Sequence, residues 1–170
     1  MANKSKESRR RADPHQIANV SMSHLVGLVE AIDEMGGEAG AAEVAQDVEE
    51  DIDRLSPIVA ATEFLGLVVV EKGRLRLTDL GRKVLHATVR GRKALFRDIV
   101  QDVPAFRHVV TMLRAAARPL PRQEVVNALA AHVGTFHAEP YFDALVFWGR
   151  YVELVRYDRE TEQLSLRAPT

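Results

Sequence analysis

The fold class follows from one run of residues, Leu67-Val68-Val69-Val70-Glu71-Lys72-Gly73-Arg74-Leu75-Arg76-Leu77. Before it, apolar side chains recur at helical spacing, whereas within it they run continuously and then alternate, which is typical of β-strands. We predict a strand over 67–70, a turn at Glu71-Lys72-Gly73 and a returning strand over 74–77, with Arg74 and Arg76 on one face. The stretch therefore predicts a β-hairpin.

Three helices are predicted before this hairpin. The first begins at a cap, Asn19 or Ser21, and ends at Gly36-Gly37. The second covers residues 41–48, and the third follows an acidic turn and ends at Gly66. Three helices followed by a hairpin is the element order of a winged helix, a helix-turn-helix variant with a two-stranded wing.

The second half of the sequence repeats this order. Helices are predicted over 94–100, 105–116, 121–132 and 139–149, and Tyr151–Tyr157 is predicted to pair with Gln163–Arg167. Phe64–Val69 aligns with Phe147–Val152, which gives an internal repeat of about 83 residues.

We therefore predict an α+β, mostly helical fold with two helix-helix-helix-hairpin repeats, a tandem winged helix. Residues 1–18 are predicted to form a disordered basic tail, residues 19–90 the first winged-helix repeat, and residues 91–170 the second repeat with a connecting helix. A single irregular helical domain with two hairpins is the alternative.

The composition of the 170-residue chain excludes several classes of protein. There is no cysteine, which excludes disulfide frameworks, iron–sulfur clusters and thiolate zinc sites. The longest apolar stretch, residues 65–70, is far shorter than the ~20 residues of a membrane helix. The polar, basic N-terminus also lacks the apolar segment of a secretory signal. We expect a cytoplasmic protein without direct membrane insertion.

The net charge of −1 conceals two oppositely charged blocks. Residues 21–63 contain eleven acidic residues and one basic residue, for a net charge of −10, and residues 64–122 have a net charge of +9. Such segregation is typical of an interaction surface, and charged faces that simply point into water are the alternative. The predicted contact residues are basic in one segment and acidic in the other: Lys72, Arg74, Arg76, Arg82 and Lys83, and Glu49, Glu50 and Asp51.

Motifs of enzyme active sites are absent from the sequence. There is no Gly-rich phosphate loop, no Gly-x-Ser-x-Gly elbow and no His-Glu-x-x-His pair. Among the six histidines, only His132 and His137 cluster with a carboxylate, Glu139, and surface histidines are more expected there than a metal site. We predict no enzyme activity, and no catalytic, cofactor-binding or metal-binding residues.

A winged helix suggests DNA binding, but the helix that would enter the major groove is acidic. In the first repeat it carries Asp51, Asp53 and Glu63 against one base, Arg54. A DNA-binding protein typically neutralises about six to ten phosphates. Sequence readout is therefore not expected, whereas a non-specific phosphate contact by the basic hairpin is the alternative.

The most unusual stretch is Phe147–Asp158, which contains the only tryptophan and two of the three tyrosines. A structural role is predicted, in which Trp148 packs the helix end on the sheet, Gly149 allows a tight turn and Arg150 pairs with Glu153. Aromatic residues beside an arginine are also favoured at protein interfaces, which is the alternative.

This stretch resembles the AAA-associated C-terminal domain family, which is typically found behind the ATPase domain of nitrate/sulfonate/taurine-type ABC transporters. The strongest match consists of Trp148-Gly149-Arg150-Tyr151, Glu153-Leu154 and Tyr157-Asp158. Supporting matches lie upstream, at Gly27–Ala31, Leu65-Gly66, Leu77-Thr78, Gly81, Arg92-Lys93 and Leu95-Phe96. Phe147 departs from the family pattern, in which an acidic residue is expected at this position.

The resemblance implies an accessory or regulatory module whose partner is an ABC-type ATPase at the inner face of the membrane. Because the sequence contains no ATPase domain, we expect a stand-alone chain. The leading interpretation is a non-catalytic protein-interaction module that binds such an ATPase, a second copy as a homodimer, or both. A winged-helix DNA-binding transcriptional regulator is the alternative, and a small-ligand sensor with a cleft between the repeats is a third hypothesis.

Overall fold

The computed structural model describes residues 19–168. Their contacts separate into two compact units, one that ends at Val89 and one that begins at Arg90. Helices form most of both units, and each unit contains a small antiparallel sheet, which confirms the α+β, mostly helical class. The predicted basic tail, residues 1–18, lies outside the described residues.

The first unit begins with a helix, and its N-cap is Ser21, one of the two residues predicted for this position. The Ser21 side chain accepts a hydrogen bond from the backbone N–H of His24, and Gly36, with a φ of +92°, follows the helix end. The elements of this unit are α1 (Met22–Glu34), β1 (Glu38–Gly40), α2 (Ala41–Asp47), α3 (Ile52–Phe64), β2 (Val68–Glu71), β3 (Arg74–Leu77) and α4 (Asp79–His86).

The predicted β-hairpin is confirmed, with a shorter turn than expected. Val68 pairs with Leu77 and Glu71 with Arg74, so Glu71 belongs to the strand. The turn consists of Lys72 and Gly73, which have φ values of +50° and +75°. Left-handed backbone at both turn positions matches the twist of the flanking strands and favours glycine at the second.

A third strand, β1, was not predicted. It pairs with β3 on the side opposite β2, which gives the sheet order β1-β3-β2. The strand has three residues, and only Ala39 among them is buried. So short a segment with one buried side chain shows no alternating pattern, and periodicity therefore could not reveal it.

Thr78 forms hydrogen bonds to residues at the end of α3, at the start of β2 and at the start of α4. Its hydroxyl donates to the carbonyl of Gly66 at 2.7 Å and accepts from the amide of Gly81 at 3.0 Å. Its own amide donates to the carbonyl of Leu67 at 3.0 Å. A Cβ atom on Gly81 would overlap that Leu67 carbonyl, so the close approach of α4 requires glycine.

The second unit repeats the order helix, strand, helix, helix, strand, strand after its connecting helix. Its sheet has the order β4-β6-β5. Its largest fully buried side chains include Trp148, Phe96, Phe106 and Phe142. The elements are α5 (Val89–Asp102), α6 (Pro104–Ala116), β4 (Leu120–Pro121), α7 (Arg122–Val133), α8 (Thr135–Tyr151), β5 (Val155–Asp158) and β6 (Gln163–Leu166).

Two predictions about this unit are wrong. Tyr151 is the last residue of α8 rather than the first residue of a strand, because the chain turns at Glu153, whose φ is +57°, and β5 begins only at Val155. The helix predicted over 121–132 starts one residue later, at Arg122, because Pro121 lies in β4 and precedes the first turn of α7.

The two copies of the internal repeat align in a different register from the predicted one at the turns that end α3 and α8. Gly66 follows the end of α3 with a φ of +79°, and Glu153 follows the end of α8 with a φ of +57°. The amide of Gly66 donates to the carbonyl of Glu63 and that of Glu153 to the carbonyl of Arg150, so both occupy the same position of the helix-ending turn. Gly66 therefore corresponds to Glu153 and not to Gly149, and aligning the two glycines was wrong by four residues.

Candidate protein-interaction surfaces

The basic hairpin, which we define as Lys72, Arg74 and Arg76, lies on the outer side of the first sheet. Arg74 and Arg76 are exposed while the alternate residues Leu75 and Leu77 are buried, as the period of two predicted. Lys72 occupies the turn. The structure thus brings these three predicted contact residues together on one strand and its preceding turn.

Arg74 is anchored within the sheet. Its Nε donates to a carboxylate oxygen of Glu38 on β1 at 2.9 Å, in an exposed ion pair. This hydrogen bond, together with the negative charge of Glu38, raises the pKa of the Arg74 guanidinium above its ordinary value. Among the described residues, Arg76 forms no ion pair. Within the described residues, the hairpin therefore presents one anchored guanidinium and one that forms no ion pair.

The other predicted basic residues lie on α4. Arg82 forms an exposed ion pair with Asp79 at 3.4 Å, and its guanidinium also lies beside Gly37, just before β1. Lys83 is exposed on the same helix. Gly37 accepts a hydrogen bond from Leu77, at the end of β3 away from the hairpin turn, so Arg82 is not part of the basic hairpin itself.

The acidic turn, which we define as Glu49, Glu50 and Asp51, connects α2 to α3. All three residues are exposed. Asp51 has a structural role as well, because its carboxylate accepts a hydrogen bond from the amide of Asp53 and caps α3. Glu50 lies 4.0 Å from Arg54 in an exposed pair. The only base in this helix thus faces an acid.

Trp148 and Gly149 both have structural roles, but Gly149 lies within α8 and the turn that follows the helix is at Glu153, not at Gly149 as predicted. Trp148 is fully buried, with its ring edge-to-face against Phe106. A Cβ atom on Gly149 would lie 2.6 Å from Cγ2 of Val155, which is closer than packed carbon atoms approach. The carbonyl of Gly149 also accepts from the amide of Leu154 at 2.8 Å. Both residues fix the junction between α8 and β5.

The predicted ion pair between Arg150 and Glu153 is wrong. Glu153 instead lies 3.3 Å from Lys93 of α5 and 3.5 Å from Arg167, which follows β6. The left-handed backbone at Glu153 ends α8 and directs its carboxylate to these two cations rather than back along the helix. Hydrogen bonding to Lys93, followed by the charges of Lys93 and Arg167, holds the pKa of Glu153 below its ordinary value.

Tyr157 and Asp158 stabilise the second hairpin. The Tyr157 ring packs edge-to-face on Phe142 at 5.4 Å. The Asp158 carboxylate accepts from the amides of Glu160 and Thr161 in the turn, and these hydrogen bonds lower its pKa. Both residues of the motif therefore have structural contacts.

Arg150 and Tyr151, in contrast, point into a groove between the end of α8 and the second hairpin. The sequence predicts a structural role for this motif, with a protein interface as the alternative, and does not reveal the groove itself. Arg150 and Tyr151 are exposed, whereas Trp148 and Gly149 of the same motif are buried. This difference in exposure becomes visible only in the structure. We call this surface the arginine groove and define it by Phe147, Arg150, Tyr151, Val155, Arg156 and Arg167.

The histidine cluster considered from the sequence does not converge. The ring of His132 lies 4.4 Å from that of His108, and Glu139 is paired with Arg122. Within residues 19–168, no group of three or more His, Cys, Asp or Glu side chains is placed to hold a metal ion.

The profile of the C-terminal AAA-associated domain family matches residues 42–158. This match covers more than half of the chain, which therefore belongs to that family, and the predicted resemblance is confirmed. The match runs from the first turn of α2 to the last residue of β5 and so includes residues of both compact units. No curated protein and no solved structure gave a match. In the part of the chain that the structure describes, no helix has the length and apolar character needed to cross a membrane.

Proposed function

We propose that this chain is a non-catalytic, regulatory accessory module that binds an ABC-type ATPase through its basic hairpin. The observation that carries the proposal is the match of residues 42–158 to the C-terminal AAA-associated domain family, because this description suggests an accessory role with an ABC-type ATPase. In this proposal the protein acts in the cytoplasm, at the inner face of the membrane, through its partner.

We further propose that both units are winged helices. Each unit has a helix, a short strand, two helices and two strands in this order. In each sheet the last strand lies between the other two. A common element order and a common strand order in both halves support one ancestral unit with a hairpin wing.

The exposed guanidinium groups of the basic hairpin support its role as the contact surface. A sheet holds Arg74 and Arg76 in fixed positions on one face, and Arg74 is fixed further by Glu38. Arginine on a preordered surface loses little conformational freedom when it binds a carboxylate, which favours an acidic protein surface as the partner.

The experiment is copurification of the tagged chain with ABC-type ATPases expressed in the same cells. We expect the wild type to retain the ATPase and the Arg74→Glu/Arg76→Glu variant to lose most of it. The Arg114→Glu/Arg159→Glu variant makes the same change in net charge at exposed positions of the second unit and should bind like the wild type. Equal retention by all three proteins would overturn the proposal, provided that their circular dichroism spectra agree.

DNA binding is the alternative that the basic hairpin also fits. The acidic character of α3, where Arg54 lies beside Glu50, disfavours a helix in the major groove. A gel shift at low and high salt distinguishes the two functions, because phosphate contacts weaken steeply with salt. Salt-sensitive retardation with sequence preference would replace our proposal by a transcriptional regulator, and no retardation at low salt would remove that alternative.

A further inference from the structure

We propose that the arginine groove binds the acidic turn of a second copy of this chain, so that the protein self-associates. The proposal rests on the chemistry of two exposed surfaces. It does not depend on the ATPase partner or on the basic hairpin.

The arginine groove has apolar walls of suitable size. Phe147 and Tyr151 lie one helical turn apart on α8, with 38% and 51% of their surface exposed. The groove encloses about 760 Å³, within the range of about 300–1,000 Å³ that is common for ligand sites. It therefore has room for several side chains of a peptide segment.

The cationic groups of the groove select an anionic ligand. Arg167 is already paired with Glu153 at 3.5 Å. Neither Arg150 nor Arg156 forms an ion pair with any residue of 19–168. Arg156 lies on β5 opposite Ser165 of β6, so the hairpin fixes its backbone. Two guanidinium groups that form no ion pair with a described residue thus flank the aromatic wall.

The acidic turn offers the complementary groups. Glu49 and Glu50 are exposed, and Ile52, directly after the turn, is 51% exposed. Because exposed ion pairs contribute little affinity individually, we expect the contact of Ile52 with Phe147 and Tyr151 to supply most of the affinity. The charges then determine which segment enters the groove.

A second copy of the chain is the ligand of the groove because each chain carries both the arginine groove and the acidic turn. Five large hydrophobic side chains are exposed among residues 19–168, and three of them, Ile52, Phe147 and Tyr151, belong to these two surfaces. Pairing the surfaces removes all three from water together. The flanking charges are opposite in sign, which favours this pairing over contact of either surface with itself.

The test is sedimentation equilibrium of the full chain over a range of concentrations, with three variants. The groove variant is Arg150→Glu/Arg156→Glu, and the turn variant is Glu49→Lys/Glu50→Lys, which leaves the capping residue Asp51 intact. The third, Ile52→Ser, keeps every charge. We expect association of the wild type to weaken by roughly tenfold or more in each variant. It should also weaken at high salt as the charges are screened.

An equimolar mixture of the groove and turn variants provides the decisive comparison. Each variant alone should associate roughly tenfold or more weakly than the wild type, whereas the mixture should associate more strongly than either, because it restores a native contact and also pairs the two reversed surfaces. A wild type that is monomeric at all concentrations, a groove variant that associates like the wild type, or a mixture that associates no more strongly than the separate variants would each overturn the proposal. The Arg74→Glu/Arg76→Glu variant should self-associate normally, which separates this result from the ATPase experiment.

Discussion

The Nζ atom of Lys93 lies 3.3 Å from Oε1 of Glu153, and Nη1 of Arg167 lies 3.5 Å from the same oxygen. One carboxylate thus connects α5, the turn after α8 and the residue after β6. Lys93 and Glu153 both belong to the stretches on which the family resemblance was based, 60 residues apart in the sequence. The structure shows that these two stretches contact each other.

The Lys93–Glu153 contact makes stability depend on pH. Because the pKa of Glu153 is lower in the folded protein than its ordinary value of 4.5, the contribution is fully present above that pH and is lost as pH falls through the folded-state pKa. We expect Glu153→Gln to lower the urea midpoint at neutral pH, with a difference that shrinks on acidification below 4.5. Glu160→Gln, in the exposed turn, is the control. A difference that is the same at every pH would show that Glu153 has no such role.

Substitution of Gly149 should destabilise the second unit through overpacking. The added methyl group of Gly149→Ala would lie 2.6 Å from Cγ2 of Val155, and we expect a loss of about 1–3 kcal/mol in the free energy of unfolding. The loss should be smaller in a Val155→Ala background, which removes the overlapping atom. Calorimetry of the four proteins of this cycle measures the coupling.

A helical glycine at which an added Cβ atom would meet no packed neighbour provides the matched control. Gly27 lies on the exposed side of α1, and apart from the adjacent backbone of that helix no atom lies within 4 Å of a Cβ position there. Gly27→Ala should raise stability by up to about 1 kcal/mol, since alanine is the better helix former. If Gly149→Ala behaved in the same way, the close packing of α8 on β5 would be wrong.

Loss of the Thr78 hydroxyl should destabilise the first unit. Thr78→Ala removes the cap of α4 and the hydrogen bond to Gly66, and we expect a cost of about 0.5–2 kcal/mol. Thr111→Ala is the control, because that hydroxyl bonds only back along the exposed face of α6, to Arg107, and should change stability by less than about 0.5 kcal/mol. Equal melting temperatures for both variants would contradict the role of Thr78.

The first hairpin and the buried half of the tryptophan motif could be predicted from sequence because local patterns determine them. The alternation of Arg74, Leu75, Arg76 and Leu77 fixes which side chains are buried, and only a small residue fits at Gly149. These features depend on the spacing of apolar residues and on side-chain size, both of which can be read directly from the sequence.

The remaining features depend on residues that are distant in the sequence. The partner of Glu153 could not be predicted because Lys93 becomes its neighbour only after the second unit folds. The arginine groove was missed for a related reason, since Arg156 joins Arg150 and Tyr151 only when the hairpin packs beside α8.

The register of the repeat was misjudged because a left-handed position accepts Glu153 where the first unit has Gly66.

Calorimetric titration of the purified chain with a purified ABC-type ATPase measures whether the basic hairpin binds this partner. We expect saturable binding by the wild type that weakens at high salt, is lost in Arg74→Glu/Arg76→Glu and is retained in Arg114→Glu/Arg159→Glu. Absence of binding at low salt, or identical isotherms for the wild type and the Arg74→Glu/Arg76→Glu variant, would contradict this expectation.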